Sequence, residues 1–316
     1  MPTRTVTRSA LALVAALFLS AAAHAQVFRA YLAPTGSDAN PCTLPLPCRL
    51  LPAALNAVAS GGEIWILDSA NYNTGTVNIA KSVTILAVPG VVGSVVASDG
   101  PAIAVTTSNH SVTLRNLVIV PLAGCATCTH GIVLQGLSNL TIEDSVIARL
   151  PGNGVLVGTG GFARVVNTTV QACGDAGVRV GNNSRDAVSR ARLLGNAAVG
   201  VVAEAQAGSF TQAVISDSVF DGGDGTGANI GAWAFADGNF AFAQVEVTRS
   251  SFAGGSAGVQ ASTGTGSATA ILAISQSLVS AGTHAWVAAG SGMIQSYGNN
   301  HIVGLGSGTL SPIALR

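Results

Sequence analysis

The sequence predicts an all-β solenoid in which each coil carries three short parallel strands. The first observation is a repeated phrase, an apolar strand introduced by a glycine, at Gly131, Gly154, Gly177 and Gly200, with a constant spacing of 23 residues. A fixed period of this kind is typical of repeat architectures. The second observation is another phrase, of alternating apolar and polar residues, between successive glycines. The third is a composition with 39 glycines and only 9% charged residues, which suits neither a charged helical protein nor a disordered one.

The first 25 residues predict a signal peptide ahead of the solenoid. Arg4 and Arg8 precede an apolar run, Ala10 to Ala22, and the segment closes on Ala23-His24-Ala25. A basic start, an apolar run and a small-residue cleavage site after Ala25 are the three parts of a secretion signal. The alternative is a membrane anchor, but the run is shorter than the roughly 20 apolar residues that span a bilayer. We expect a secreted, periplasmic or cell-surface protein with no stable membrane insertion.

Residues 26–73 predict a cap on the solenoid, which itself occupies residues 74–316. Phe28 to Leu32 predicts a strand, Leu50 to Ala59 a short helix ended by Gly61-Gly62, and Glu63 to Leu67 a further strand. A solenoid exposes an apolar end unless another element covers it. The helix is the expected cover.

The repeated phrases predict the interior and one corner of each coil. Residues at alternating positions point inward. One inward ladder is predicted at Ile142, Val165, Val188, Ile215, Val247 and Ile274. A second is predicted at Ile132, Val155, Val178, Val201 and Val259, closed by Trp286. A bend, where Asn and Asp tolerate unusual backbone angles, is predicted at Asn116, Asp144, Asn167, Arg190, Asp217, Arg249, Gln276 and Asn300. About nine coils, stacked about 4.8 Å apart, predict a rod about 40 Å long.

Several short motifs at the start of the chain carry a family resemblance. They are Tyr31-Leu-Ala-Pro-Thr-Gly-Ser-Asp, Asn40-Pro-Cys, Pro47-Cys-Arg, Ala53-Ala-Leu-Asn-Ala-Val and Lys81-Ser-Val-Thr-Ile. With the repeats, they resemble bacterial right-handed parallel β-helix proteins of the pectin-lyase-like superfamily. The resemblance implies a right-handed parallel β-helix with an N-terminal capping helix. It implies no single activity, because the superfamily includes polysaccharide lyases, glycoside hydrolases, epimerases, phage spikes and adhesins.

Four of the five cysteines predict local disulfides, since an exported chain permits them. We expect the bridges Cys42–Cys48 and Cys125–Cys128, with Cys173 left over and buried. A redox Cys-x-x-Cys is the alternative for the second pair. That alternative lacks the βαβ context and the helix N-terminus that would lower the thiol pKa.

The charge balance argues against nucleic acid as a partner. Without Arg4 and Arg8, 12 basic residues remain (14 − 2) against 14 acidic ones, a formal net charge of −2. Such a chain has no basic surplus to bind phosphates. With Lys81 as the sole lysine, a groove that degrades polyanions is also hard to build.

The outward face of the glycine-phrase sheet holds the candidate catalytic residues. Arg179 and Glu204 are expected on adjacent coils, two residues out of register, with Gln135 and Gln260 on the same face. Polysaccharide-cleaving enzymes use a cation and a base, or two carboxylates. A surface ion pair of little energy is the favoured interpretation of Arg179 and Glu204.

Departures from the 23-residue period predict insertions at residues 121–129, 205–210, 221–239 and 262–267. Extensions of a solenoid concentrate on one side, often the binding side. In the longest, Trp233, Phe235, Asp237 and Asn239 predict a carbohydrate contact, because aromatic faces beside polar groups hold sugar rings. The alternative is a strand that packs its aromatic residues inward.

Asp217, Asp221 and Asp224 lie in and beside a glycine-rich segment. Oxygen ligands on such a loop suit Ca²⁺. A turn with solvated acids is the favoured alternative, because the cluster is not repeated along the chain. No other cofactor is expected.

These observations favour a non-catalytic, exported β-helix that binds extracellular carbohydrate or contributes to surface attachment. The first alternative is a polysaccharide lyase or glycoside hydrolase with its site near Arg179 and Glu204. The second is a structural or oligomerising rod.

Overall fold

The computed structural model describes residues 26–223 and 229–313. The predicted signal peptide and its cleavage site at Ala25 lie outside these residues. The described chain winds through three sheets in a fixed order, first, second, third and back to the first, and every strand pairs in parallel with strands of neighbouring coils. The predicted all-β parallel β-helix with three strands per coil is therefore confirmed. Ten strands in both the second and the third sheet make ten coils, where the repeats predicted about nine.

The three sheets contain twelve, ten and ten strands among the described residues. The first consists of Val27–Leu32, Val58–Ile66, Val83–Ala87, Ser111–Arg115, Asn139–Glu143, Phe162–Val166, Arg185–Ser189, Phe210–Ser216, Phe242–Thr248, Thr269–Ser275, Met293–Ser296 and Leu310–Pro312. The second consists of Ala70–Asn71, Gly93–Ala97, Leu117–Pro121, Val146–Ala148, Thr169–Gln171, Arg192–Leu194, Val219–Asp221, Ser251–Gly254, Leu278–Ala281 and His301–Ile302. The third consists of Val77–Ile79, Ile103–Val105, Ile132–Leu134, Val155–Val157, Ala176–Val180, Val199–Ala205, Ile230–Ala236, Ala257–Thr263, His284–Ala289 and Leu305–Ser307.

The helix spans Leu51–Ala57 and buries Leu51, Ala54 and Leu55. The predicted continuation to Ala59 and the stop at Gly61-Gly62 are wrong. Val58 has an extended backbone (φ −77°, ψ 140°) and pairs with Val27, so the second strand of the first sheet begins there. β-branched valine favours such a strand position over a helix end. None of the described helices is long and apolar enough to cross a membrane.

Both inward ladders are confirmed by register and burial. Each residue of the first ladder pairs directly with the next, from Ile142 to Ile274, and each is at most 3% exposed. In the second ladder Ala232 stands between Val201 and Val259. Trp286 pairs with Val259, and one further strand follows it.

The sharp corner between the first and second sheets is built from residues with a left-handed backbone. As predicted, it recurs at Asn116, Asp144, Asn167, Arg190, Asp217, Arg249 and Gln276, with φ between 46° and 56°. The prediction that Asn300 continues the series is wrong. The register of Ile274 with Ser296 places Gly298, with φ 76°, at the corner. Glycine adopts this angle without steric cost.

A buried hydroxyl follows the corner residue in five coils of the described chain. Ser218, for example, donates a hydrogen bond to the carbonyl of Ser216 (2.7 Å) and accepts one from the N–H of Ala191 on the preceding coil (3.2 Å). Its equivalents are Ser145, Thr168, Ser250 and Ser277. We call this column the hydroxyl ladder. Each member satisfies a buried backbone N–H of the coil before it, as buried polar groups require.

The repeated glycines lie where the chain enters the third sheet. At Gly177 a Cβ atom would lie 2.7 Å from the carbonyl oxygen of Gly200 and 2.9 Å from the side chain of Leu193. A large inward residue of the second sheet thus fills the space that a side chain would need. Gly231 and Gly258 occupy the same column on later coils, against Phe252 and Val279.

The structure contains the two predicted disulfides, Cys42–Cys48 and Cys125–Cys128. Cys173 is free and buried. Burial raises the pKa of the Cys173 thiol to about 11, so it stays protonated at neutral pH and behaves as a core residue.

Candidate functional site

The outward face of the third sheet brings together most of the predicted site residues. Arg179 pairs with Val202, which pairs with Trp233, and Trp233 pairs with Gln260. Glu204 is two residues along from Val202 on the same strand, and pairs with Phe235 on the next coil. The sequence placed Arg179 and Glu204 on adjacent coils with this offset.

Arg179 binds two carboxylates. Its guanidinium donates to both oxygens of Asp175 (2.8 and 3.0 Å) and to Glu204. Its Nε also donates to Oδ1 of Asn153 (3.4 Å). Arg179 and Glu204 are each about 25% exposed. The cation is therefore already neutralised, and Glu204 accepts from a cation instead of standing free as a base.

Sequence reasoning missed Asp175 and the histidine beyond it. Asp175 precedes Arg179 by four residues. This spacing predicts a contact on a helix, but Asp175 lies just before the strand Ala176–Val180, where it predicts none. The Nδ1 atom of His130 accepts the N–H of Asn153 (3.0 Å). Burial lowers the pKa of His130, which outweighs the opposing effect of Asp175. The imidazole is therefore neutral at neutral pH and extends the hydrogen-bond network along the face.

Trp233 and Phe235 point outward from the strand Ile230–Ala236. Alanines 232, 234 and 236 fill the inward positions and are fully buried. The two aromatic rings lie 5.1 Å apart, and the indole N–H of Trp233 donates to Oγ of Ser262 (2.8 Å). Two interpretations are corrected here: the aromatic residues do not pack inward, and residues 230–236 of the predicted insertion 221–239 form a regular third-sheet strand.

Asp237 and Asn239 belong to the turn after that strand and bind the turn of the next coil. Oδ1 of Asp237 accepts from the N–H and the hydroxyl of Thr265 (2.6 and 2.9 Å), and these hydrogen bonds lower the pKa of Asp237. Oδ1 of Asn239 accepts the N–H of Ser267 (3.2 Å). These oxygens hold the turns together.

The candidate calcium ligands are kept apart by a strand. Asp217 lies at the sharp corner and pairs with Arg249 (2.7 Å), which lowers the pKa of Asp217. Asp221 ends the strand Val219–Asp221, and its Oδ1 accepts the N–H of Gly223 (2.9 Å). Four residues of extended chain separate the two by about 13 Å. Asp224 lies outside the described residues, within which no group of three metal-ligating side chains occurs.

The corner that joins the third sheet to the first changes length between two adjacent coils. Val180 and Arg185 are joined by four residues, 181–184, while their register partners Ala203 and Gln212 are joined by eight, 204–211. The next two coils keep the longer form. The longer corner projects beyond the shorter one. We call this feature, made by residues 181–184 and 204–211, the corner step.

Two asparagines attach the longer corner to the shorter one. Oδ1 of Asn182 accepts the N–H of Gln206 (2.8 Å) and the hydroxyl of Ser209 (3.1 Å). Oδ1 of Asn183 accepts the N–H of Phe210 (3.1 Å). The corner step is therefore fixed by specific hydrogen bonds, and neither amide NH₂ group donates to another of the described residues.

A cleft lies on each side of the corner step. The third-sheet cleft has a volume of about 240 Å³, a floor that includes Gly158 and Gly181, and polar walls that include Gln135, Glu204 and Gln206. The first-sheet cleft has a volume of about 330 Å³. It is lined by Gly160, Gly161, Phe162, Asn183, Arg185 and Phe210.

The molecule is thus a parallel β-helix with paired clefts on its outer surface. The family model described as "Right handed beta helix region" matches residues 101–273, more than half of the chain. The chain belongs to this family, and its fold is the right-handed parallel β-helix that the sequence resemblance implied. No curated protein matches it in sequence.

Solved structures share the fold at low sequence identity. An alginate lyase from Paenibacillus sp. str. FPU-7 is similar with a TM-score of 0.62 and 15% identity, over 90% of this chain and 100% of that chain. The pectate lyase Pel9A is similar with a TM-score of 0.54 and 16% identity, over 92% of this chain and 78% of that chain. The enzymatically active domain of bacteriophage CBA120 tailspike protein 2 is similar with a TM-score of 0.50 and 12% identity, over 83% of this chain and 43% of that chain. Identities this low show the fold alone.

Proposed function

We propose that the protein is an exported, non-catalytic binder of extracellular carbohydrate, and that the third-sheet cleft is its binding site. The observation that carries the proposal is the make-up of this cleft. Glycines 158 and 181 open the floor, and Gln135, Gln206 and Glu204 project amide and carboxylate groups from the walls. Sites for small polar ligands combine a concave, partly apolar surface with a few directed polar groups.

A pyranose ring matches this chemistry. Its hydroxyls both donate and accept hydrogen bonds, as the amides of Gln135 and Gln206 do, and its C–H face can rest on the apolar floor beside Leu156. The aromatic pair Trp233 and Phe235 extends the same face on the next coil. Two of the solved structures with this fold, an alginate lyase and a pectate lyase, are carbohydrate-active proteins by name, which supports this class of ligand.

The ion pairs of Arg179 favour binding over catalysis. Lyase and hydrolase mechanisms need a base or an acid that is free to exchange a proton with the substrate. Glu204 is instead bound to Arg179, which also holds Asp175. The enzyme alternative retains one point in its favour, because the same pair places a carboxylate and a cation on one outward face.

Binding can be tested with a glycan array followed by calorimetry on the hits. Gln206→Ala and Gln135→Ala should weaken binding about tenfold each, the size expected for loss of a hydrogen-bonding partner at a binding site. Gln171→Ala, on the second sheet, is the matched control and should bind like the wild type. An array without hits would contradict the proposal and favour a structural rod.

Catalysis can be tested with reducing-sugar and unsaturated-product assays over a polysaccharide panel. Glu204→Gln is compared with Glu143→Gln, whose side chain is also 25% exposed and also pairs with an arginine on an adjacent coil, Arg115. We expect no turnover by either variant or by the wild type. Activity that disappears in Glu204→Gln and persists in Glu143→Gln would replace the binder with an enzyme.

A further inference from the structure

The first-sheet cleft has features that the proposed binding site leaves unexplained. It lies around the corner from the third-sheet cleft, between Phe162 and Phe210, over a floor of Gly160 and Gly161. Phe162 is 43% exposed. Two aromatic side chains thus line an open cavity of about 330 Å³.

The longer corner of the corner step and the corner of the next coil carry three aromatic residues, of which Phe210 and Phe242 are partly buried and Phe240 is exposed. Phe210 stacks on Phe242, with ring centroids 5.4 Å apart and an angle of 15° between the planes. Phe240 is 81% exposed and has a left-handed backbone (φ 59°). That conformation is costly for a bulky residue, and strain of this kind clusters at functional sites. Glycine would fit the turn better, so the phenylalanine calls for a role at the surface.

Arg185 adds a cation to this cleft. Its guanidinium carbon lies 5.8 Å from the centre of the Phe210 ring, within the range of a cation–π contact. The side chain is exposed, and no carboxylate of residues 26–223 or 229–313 forms an ion pair with it. Its donors therefore face the cavity without an acidic partner, in contrast to Arg179 on the other side of the step.

The two clefts lie next to each other around the corner: they share no lining residue, but residues adjacent in the chain line both. Residues 158–161 and 181–184 form the short corners of two adjacent coils. Gly158 and Asn182 line the third-sheet cleft, and Gly160 and Asn183 line the first-sheet cleft. The longer corner bounds both clefts along the same side, through Gln206 on one and Phe210 on the other.

We propose that the first-sheet cleft is a second sugar subsite and that one oligosaccharide chain crosses the corner step, following the direction of the coils, so that it fills both clefts. A pyranose ring lies in this cavity against the exposed side chain of Phe162, and Phe210, whose ring contacts Arg185 and Phe242, bounds the cavity on the other side. The guanidinium of Arg185 and the amide of Asn183 donate to its hydroxyls or to a carboxylate substituent. This inference rests on the proposed carbohydrate-binding function and adds the path and the minimum length of the ligand.

The test is calorimetric binding of two oligosaccharide ladders, galacturonate and glucan oligomers from disaccharide to octasaccharide. For the ladder that binds, affinity of the wild type should rise with length until both clefts are filled. Phe210→Ala and Arg185→Gln should each weaken the long oligomers about tenfold, the usual effect of removing one anchor of an interface. Both should leave the affinity of the shortest binding oligomer unchanged.

Two matched controls separate a local effect from a general one. Phe28→Ala removes a phenylalanine outside both clefts, 63% accessible, near the start of the described chain. Arg192→Gln removes another exposed arginine of the same coil, on the second sheet. Both should bind like the wild type. Because Arg185 is exposed, its variant is expected to fold normally, and a circular dichroism melt verifies this for every variant.

The outcomes distinguish this inference from the function on which it rests. Long oligomers that bind equally well to the wild type, Phe210→Ala and Arg185→Gln would overturn the second subsite and leave the third-sheet cleft in place. A ladder and array without any binding would contradict the proposed function itself. If sedimentation velocity gives a lower mass for Phe210→Ala than for the wild type, the aromatic surface joins copies of the chain. This result would also overturn the inference.

Discussion

Replacing Asp186 by asparagine should remove a pH dependence from the stability of the rod. Asp186 points from the first sheet into the interior of the rod and is 2% exposed, and neither carboxylate oxygen has a hydrogen-bond partner among the described residues. Ala163 and Ala213 hold the equivalent inward positions on the neighbouring coils. Burial among apolar groups raises the pKa of Asp186 to about 7. An ionised carboxylate in such a position is strongly unfavourable.

The direction and size of the effect follow from linkage. The unfolded chain releases the proton near pH 3.8, while the folded chain keeps it up to about pH 7. The free energy of unfolding should therefore fall as the pH rises from about 4 to about 7 and then level off. The two pKa values differ by about 3.2, and at 1.36 kcal/mol for each unit the loss is about 4 kcal/mol.

The assay is urea unfolding followed by circular dichroism across this pH range. In Asp186→Asn the contribution of this carboxyl is absent, so its unfolding midpoint should vary less with pH than that of the wild type. Asp144→Asn, at an exposed corner, is the control and should keep the wild-type slope. Equal slopes for the wild type and Asp186→Asn would refute the reasoning, because they would mean that the carboxyl does not titrate inside the core.

Three further predictions concern the packing of the coils. Gly177→Ala should lower the free energy of unfolding by about 1–3 kcal/mol through overpacking. Gly75→Ala, with nothing within 4 Å of the added Cβ, should change this free energy little. Calorimetric melts of the two variants test the difference. Ser218→Ala should cost about 1–3 kcal/mol in urea unfolding because a buried backbone N–H loses its acceptor, and an unchanged midpoint would contradict the role of the hydroxyl ladder. Replacing Cys42 and Cys48 together by alanine should lower the free energy of unfolding by about 2–4 kcal/mol. In thermal melts, reductant should break both disulfides of the wild type but only Cys125–Cys128 in the variant, so it should lower the melting temperature of the variant less.

The corners and ladders were predictable because they depend on local chemistry that recurs. Asn167 and Asp144 lie at the corner with a left-handed backbone. Asn and Asp tolerate this conformation better than most residues, so their recurrence predicts the corner. The break in the series, Gly298 in place of Asn300, was not predictable from spacing. The carboxamide of Asn300 instead accepts the N–H of Ser277 (2.9 Å), and so takes the position of a hydroxyl-ladder member.

The candidate site was harder to predict because its pattern inverts the usual one. In the strand Ile230–Ala236 the large residues face out and the alanines face in. The rule that the more hydrophobic residues of an alternating strand face the core therefore places Trp233 and Phe235 on the wrong side of the sheet. Phe220 and Phe252 stack in the core, 4.5 Å apart, and supply part of the interior volume that the alanines do not. The corner step was only partly visible, as an extension at residues 205–210. Its clefts depend on three-dimensional register, which the sequence does not encode locally.

The hydroxyl ladder makes the rod divisible into interchangeable modules. Because Thr248 and Ser275 are register partners, excision of residues 249–275 would join Thr248 to Gln276 and present Ser277 to the N–H of Ser218, which Ser250 accepts now. The length of the molecule can thus change in whole turns through duplication or deletion of a coding segment, without disturbing the neighbours of the junction. The surface clefts are built from the coils between residues 133 and 210, so they would be kept on a longer or shorter rod when the change is made outside those coils.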